Sequence, residues 1–329
     1  MNDNQVFITG ATGFIGIPLA RSLADKGFIV HALYRDKKKT KLLQHSNIHL
    51  FEGDITNIET LKTAMKGCSQ VFHVAGYTGV WARNPKIYEQ INVNGSENVF
   101  EAAAAEGVKK IVFTSTAGVF GPSGKEPVNE DAQNPLPFFS GYEASKASVE
   151  AIIKDRNLQG QEIIIVNPTR VYGPGLLSES NGVTRMIKMY QEGKWHFLPG
   201  NGKSVGNYAY IEDVVTGHEL AMKYGKPGER YLLGGENLSY KRLFSVVSQV
   251  SGKNTWMINI PLPLMLAASS VMMTWAGISK KNPLITTSLV KKFNYNFETD
   301  LSKSITKLQY QITPFEVGVK KTLAWLKTN

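Results

Sequence analysis

A doubly wound α/β fold, a parallel sheet with helices on both faces, is what this sequence predicts, and three observations carry it. Apolar runs of strand length alternate with segments of helical period through the first two thirds of the chain. The first of these runs is followed at once by a loop with glycines at Gly10, Gly13 and Gly16. A length of 329 residues, 42% of them hydrophobic and 19% charged, also gives room for one large α/β core or for two domains.

Each element follows in order. Val6 to Thr9 reads as a buried strand, residues 17–27 (IPLARSLADKG) have helical spacing and stop at Gly27, and residues 28–34 (FIVHALY) form a second strand, which makes a βαβ unit. Further strands are predicted at 48–54 (IHLFEGD), 70–76 (QVFHVAG), 109–116 (KKIVFTST) and 162–168 (EIIIVNP), with helices at 57–67 and 87–107 between them. Such alternation requires crossover connections and hence a parallel sheet. Residues 1–166 are expected to form a dinucleotide-binding domain. Residues 167–329 are expected to form a smaller, mixed substrate-binding region from which about 205–233 return to the main fold. Asp213 is expected to cap a helix, and Gly234 to Asn237 to form a loop.

The glycine loop has the strongest physical reading. A strand feeding a glycine turn and then a helix offers free backbone N–H groups and a positive dipole end to a pyrophosphate. One glycine permits the turn, one lets the backbone approach the phosphates, and one allows the helix to pack against the strand. A second pattern lies in YEASK, where Tyr142 and Lys146 stand four residues apart and share a helix face. Tyrosine ordinarily loses its proton near pH 10, and a neighbouring ammonium should favour the phenolate and bring that value towards neutrality. Tyr142 would then exchange a proton with a substrate oxygen while a nicotinamide carries the hydride.

Charge narrows the partners. The formal net charge is +10, and its densest cluster is Arg35 to Lys41, where five of seven residues are basic. No zinc-finger or RNA-recognition signature accompanies it, so a solvated loop is preferred to nucleic-acid binding. Cys68, the single cysteine, excludes an intrachain disulfide and fits a reducing, cytoplasmic setting, as does a beginning without secretory features. The six histidines show no metal-ligand spacing, so no metal is expected. Residues 260–278 (IPLPLMLAASSVMMTWAGI) are uncharged and rich in methionine, with Lys280 and Lys281 following. Because two prolines break its start, a buried helix or a hydrophobic lid over the substrate is preferred to a span, and peripheral contact with a membrane stays open.

The motifs also resemble a family. TGATGFIG at 9–16 is similar to the signature of the extended short-chain dehydrogenase/reductases, which share the NAD-dependent epimerase/dehydratase architecture, and is closest in style to dihydroflavonol reductase-like and 3β-hydroxysteroid dehydrogenase-like members. The family's further motifs occur in order as GDI at 53–55, HVAG at 73–76, INVNG at 91–95, FTST at 113–116, YEASK at 142–146 and NPTRVYGPG at 167–175. The resemblance covers about the first 215 residues and implies a Rossmann fold. It implies Thr116, Tyr142 and Lys146 as catalytic residues, with Ser115 the alternative to Thr116. It further implies cofactor contacts from Gly10, Thr12, Gly13, Phe14, Ile15 and Gly16 in the loop, and from Tyr34 and Arg35 after the second strand. Asp54 and Ile55 would stand beside the adenine, Val74, Ala75 and Gly76 beside the adenosine ribose and phosphates, and Pro168 and Val171 on the nicotinamide side, with Asn92 supporting the cofactor side of the site and Thr114, Tyr142 and Lys146 as further cofactor contacts. The usual VYG appears as VFG, so Phe120 lacks a hydroxyl the family commonly has there.

Tyr34 stands where an NAD-type enzyme has an acid, and Arg35 is placed to meet a 2′-phosphate, so NADP is preferred to NAD. The expected function is therefore NADP(H)-dependent interconversion of a carbonyl and a secondary alcohol on a partly apolar small molecule. Two rivals remain: a nucleotide-sugar epimerase or dehydratase with tightly held NAD, and a non-catalytic dinucleotide sensor. The resemblance also implies a homodimer through helices around 85–106 and 142–157.

Overall fold

The computed structural model describes residues 4–279, 282–283 and 285–328. Its strands are β1 (Gln5–Thr9), β2 (Ile29–Tyr34), β3 (Ile48–Glu52), β4 (Gln70–His73), β5 (Lys110–Thr114), β6 (Glu162–Pro168), β7 (Arg170–Tyr172), β8 (Phe197–Pro199), β9 (Val205–Tyr210), β10 (Arg230–Leu233), β11 (Glu236–Ser239) and β12 (Ile258–Ile260). The main helices are α1 (Gly16–Asp25), α2 (Ile58–Met65), α3 (Gly95–Ala105), α4 (Gly141–Leu158), α5 (Gly182–Gln191), α6 (Ile211–Tyr224), α7 (Tyr240–Ser251), α8 (Leu262–Ser279), α9 (Thr287–Lys292), α10 (Ser302–Leu308) and α11 (Phe315–Thr328).

Seven parallel strands make the central sheet in the order β10-β6-β5-β4-β1-β2-β3. Both faces are covered, as a parallel sheet requires. Period-2 alternation sends Val6 and Ile8 of β1 to one core with Leu19 and Leu23 of α1 and Val214 of α6, and Phe7 to the other with Leu61, Val99 and Phe100. The chain winds outwards from β1 to β3 and then crosses back to β4 on the other side of β1. That reversal opens a crevice at the carboxyl ends of β1 and β4, where ligands bind in this class of sheet. A three-stranded sheet, β11-β9-β7, and a pair, β12-β8, lie beyond it.

Several local expectations are corrected. The basic run is not a plain loop: residues 37–43 form a 3₁₀ turn whose first residue follows Asp36, and the Asp36 carboxylate accepts from the Lys38 amide at 2.9 Å. The helix expected over 87–107 begins with a π-helical stretch, Tyr88–Asn94, a local widening often found at functional sites. Glu236 and Asn237, expected in a loop, open β11. Asp213 caps no helix of its own. It sits in the first turn of α6, and its carboxylate accepts from the Thr313 amide and hydroxyl at 2.7 and 2.6 Å, which fastens the C-terminal segment to α6. Residues 260–278 are not a buried helix: of the eighteen residues of α8 only Ser269 and Ala276 are buried. Pro263 falls in the first turn, where a missing N–H costs nothing, so it does not shorten the helix. Lys280 and Lys281 lie outside the described residues.

Candidate active site

The crevice is built from glycines first. Gly10 ends the first strand's turn at φ +69°, and a Cβ there would stand 2.7 Å from the Ala75 amide nitrogen. At Gly16 a Cβ would overlap the Gly10 carbonyl oxygen. The loop is therefore as tight as backbone allows, and Gly13 donates its amide to Gly10 at 2.9 Å to close it. No side chain caps α1; the Ile17 amide donates to the Gly13 carbonyl at 3.0 Å and the Leu19 amide to the Ile15 carbonyl at 3.1 Å, so the amides just before Ile17 are the ones left for an external acceptor. Thr12, Phe14 and Ile15 belong to the same turn. Across the crevice, Val74, Ala75 and Gly76 follow β4, and the Ala75 amide donates to the Thr9 hydroxyl at 3.1 Å. A pyrophosphate fits this cradle: its wall is bare backbone that presents donors, and at Gly10 and Gly16 any Cβ would strike main chain and push the loop out of shape.

Tyr34 closes β2 and Arg35 follows it. The Arg35 guanidinium lies 3.3 Å from the Asp54 carboxylate, with two thirds of its side chain in solvent. Burial works against the Asp54 charge, yet hydrogen bonds from Thr56 and the Arg35 charge hold its carboxyl below the usual range. Ile55 is buried and packs against the α-carbon of Gly95, a structural position at the floor of this side of the crevice.

Helix α4 carries Tyr142 and Lys146, the two expected reacting groups on one element. Ser140 caps it, accepting from the Glu143 amide, which fixes the first turn where Tyr142 stands. The Thr116 hydroxyl stands beside the Tyr142 phenol and acts to lower its proton affinity. Thr116 itself caps the short turn Ala117–Phe120, accepting from Gly118 at 3.2 Å. Ser115, the alternative to Thr116, points the other way: it donates to Glu150 and is buried. Lys146, one turn along from Tyr142, is buried and donates to the Thr114 carbonyl at 2.7 Å, 4.5 Å from the centre of the Phe113 ring. A Cβ on Gly76 would come within 3.3 Å of its amine and 3.2 Å of the Asn92 side-chain oxygen, so the cofactor-side loop and the lysine meet here. Asn92, turned inward by the π-helical stretch, bonds the Tyr77 amide at 2.7 Å and the Ser145 hydroxyl at 2.8 Å.

Not every expected contact is free to hold a cofactor. The Thr114 hydroxyl is 2.9 Å from His218 and faces the core, which leaves only its carbonyl at the site, already taken by Lys146. Pro168 ends β6 and Val171 lies in β7, both buried.

Electrostatics departs from expectation at the tyrosine. Burial and then the Glu143 charge push the Tyr142 phenol up, with only the Thr116 hydroxyl pulling it down. Lys146 does not figure among the groups acting on the phenol, so the phenolate expected from a lysine neighbour does not form, and the hydroxyl stays protonated at neutral pH. Burial brings Lys146 down to about 7, against a smaller upward pull from Glu150.

Two acidic partners, Glu150 and Glu143, were not singled out in the sequence. Glu150 continues the spacing of Tyr142 and Lys146 by four more residues and joins Ser115, Asn167 at 2.7 Å and Arg230 at 3.7 Å. That repeated spacing was the available signal. Glu143 pairs with Lys292 of α9 and accepts from the Phe139 amide at 3.0 Å, a pairing that no local pattern reveals. His73, at the end of β4, bonds Thr9 at 2.7 Å and Ser96 at 2.9 Å, and burial holds it neutral.

A donor-lined crevice at the switch point of a parallel sheet, with a tyrosine, a hydroxyl and a buried lysine at its rim, defines a dinucleotide-dependent α/β enzyme. The sequence profile of the NAD dependent epimerase/dehydratase family matches residues 6–234, and the chain belongs to that family, within the extended short-chain dehydrogenases/reductases; it is an NAD(P)-dependent enzyme. It is 28% identical to a putative dihydroflavonol 4-reductase of Synechocystis over 98% of this chain and 94% of that protein. It is 26% identical to the 2-alkyl-3-oxoalkanoate reductase of Shewanella oneidensis over 98% and 86%. The UDP-glucose 4-epimerase of Thermotoga maritima superposes with a TM-score of 0.82 at 23% identity, over 98% of this chain and 99% of that one, a likeness of fold.

Proposed function

We propose that the protein is an NADPH-dependent reductase of a ketone or aldehyde on a partly apolar small molecule. The observation that carries the reading is Tyr142, held protonated by burial at the start of α4 with the Thr116 hydroxyl beside it. A bound nicotinamide supplies hydride to the carbonyl carbon. The Thr116 hydroxyl donates to the carbonyl oxygen and Tyr142 releases its phenolic proton to it, so that C=O, hydride and proton become CH–OH. Lys146, titrating near neutrality one turn away, holds an exchangeable proton beside the site. Names of two relatives that reduce carbonyl compounds support the same chemistry. Preference for NADPH rests on Arg35: its exposed pairing with Asp54 is worth at most about 1 kcal/mol, so the guanidinium is free to turn to a 2′-phosphate.

Fluorescence titration of nucleotide-stripped protein tests this. Exchangeable NADPH is expected to bind at least about tenfold more tightly than NADH, a difference of about 1.4 kcal/mol, and NADPH is then consumed with apolar ketones. Tenaciously retained NAD, with no turnover of ketones, would favour the epimerase or dehydratase reading instead.

The apolar helix α8 fits the same substrate class. Its outer face shows Leu264, Val271, Trp275 and Ile278, each more than half exposed, and none of its eighteen residues is charged. The hydroxyls of Ser269 and Ser270 donate to the Leu266 carbonyl, and that of Thr274 to the Ser270 carbonyl. Internal satisfaction of every one of these groups suits a hydrocarbon surrounding. With Lys280 and Lys281 next in sequence and a net charge of +10, we propose that α8 lies in the surface of an anionic bilayer on the cytoplasmic side, its inner stripe seated on α9. Wild-type protein should sediment with vesicles of phosphatidylcholine and phosphatidylglycerol, and V271E/W275E should remain in the supernatant. Wild-type protein left in the supernatant, or found as a dimer whose association the same variant abolishes, overturns the bilayer as the occupant.

A further inference from the structure

Arg170 stands in an aromatic box without a counter-ion. Its guanidinium carbon is 5.6 Å from the ring centre of Tyr208, 5.8 Å from that of Tyr240 and 5.6 Å from that of Phe297. Of its five N–H groups one is used, towards the Tyr208 hydroxyl at 3.3 Å. Among the described residues no acid pairs with it, and the groups acting on its charge are the two tyrosines. Arginine does not lose its proton in proteins, so this is a standing positive charge largely withdrawn from water. Ring faces attract a cation only modestly, whereas withdrawing an ion from water costs considerably more. The two tyrosines more than offset burial in favouring the charge, but they are neutral groups, so the cation has no anion of its own among the described residues.

A neighbouring cation shows the contrast. Lys292 lies 5.6 Å from the centre of the same Phe297 ring, yet it has its acid, Glu143, the residue following Tyr142. Two positive groups thus share one ring, and only the one on the Tyr142 side is neutralised within the protein. Arg170 is also tied to the catalytic rim by the chain: three residues before it, the Asn167 side chain donates to the Thr116 carbonyl at 3.2 Å. β7 then carries Arg170 away from β6 into the three-stranded sheet, opposite Tyr208 of β9.

We propose that Arg170 anchors a carboxylate of the substrate, so that the protein acts on apolar oxo acids whose carbonyl meets Thr116 and Tyr142 while the acid group meets the guanidinium. The planar fork of arginine matches a carboxylate in two parallel hydrogen bonds, and a lone cation suits a monoanion better than a doubly charged phosphate. The inference rests on the reductase reading for the reaction, but the anion site is testable without it.

Two measurements separate the two. With NADPH, kcat/KM is compared for 3-oxodecanoate and for its uncharged methyl ester. Wild-type protein should prefer the acid by at least about tenfold, as expected when a buried charge-assisted bond is lost, and Arg170→Met should bring the acid-to-ester ratio to about one, with Arg170→Lys in between. A ratio that Arg170→Met leaves unchanged, or a wild-type preference for the ester, overturns the proposal. Independently, decanoate, which has no carbonyl to reduce, should raise the thermal midpoint of the NADP⁺-loaded wild-type protein, where methyl decanoate does not, and Arg170→Met should remove the effect. If decanoate binds through Arg170 and neither oxo compound is reduced, the reductase reading fails while the anion site stands. If decanoate does not bind, the anion site fails whatever is reduced.

Discussion

Tyr142→Phe lowers turnover of a carbonyl substrate by about 10²–10⁴-fold, the usual contribution of a positioned proton donor, and leaves NADPH affinity within a few-fold. The variant removes one oxygen. The ring remains packed at the start of α4, while the hydroxyl and its interaction with Thr116 are lost. Structural damage should be small, because deleting a buried hydroxyl also removes its desolvation cost, and the two effects are of similar size, each about 1–2 kcal/mol. A loss of activity with an unchanged thermal midpoint therefore isolates proton transfer. An active Tyr142→Phe enzyme would take the hydroxyl out of the mechanism and leave Thr116 and solvent to complete the alcohol.

Much of this arrangement was legible before any coordinates because it is local. The glycine turn, the strand before it and the helix after it occupy the twenty-one consecutive residues 5–25, and Tyr142 and Lys146 are separated by one helical turn, so spacing alone places them together. What was not legible depends on distant partners. Glu143 meets Lys292 across 149 positions, and it is that acid, with burial, that keeps Tyr142 protonated where adjacency to lysine suggested the reverse. Thr116 and Ser115 differ only in the face of the chain they occupy, and the turn Ala117–Phe120 decides it by taking Thr116 as its cap. Asp213 resembles a cap by position, yet its acceptor capacity goes to Thr313, a hundred residues on. In α8 the uncharged composition has no polar stripe, so periodicity gives no direction in which to bury it; its exposure follows from where β12 and α9 hold its ends.

Lys146→Met should reverse sign with pH, and this gives the sharpest stability test of the site. Burial lowers the Lys146 amine from its ordinary 10.5 to about 7. Between those values the unfolded chain holds a proton that the folded chain lacks. Raising the pH through this window removes that proton from the unfolded state and so favours folding; below about 7 the whole cost of burying the charge is present. Each tenfold change in proton affinity is about 1.4 kcal/mol, so the cost at pH 6 amounts to a few kcal/mol. Against it stands the hydrogen bond to the Thr114 carbonyl, 2.7 Å long, whose loss leaves a buried acceptor unsatisfied at about 1–3 kcal/mol. The first effect dominates in acid and vanishes in base; the second acts throughout. Thermal unfolding of the nucleotide-free proteins should therefore find Lys146→Met more stable than wild type at pH 6 and less stable at pH 10, with a crossing between. A variant less stable at every pH would show that the amine keeps its ordinary proton affinity in the fold. It would also withdraw Lys146 as a source of an exchangeable proton at neutrality, leaving it as a fixed charge beside the crevice.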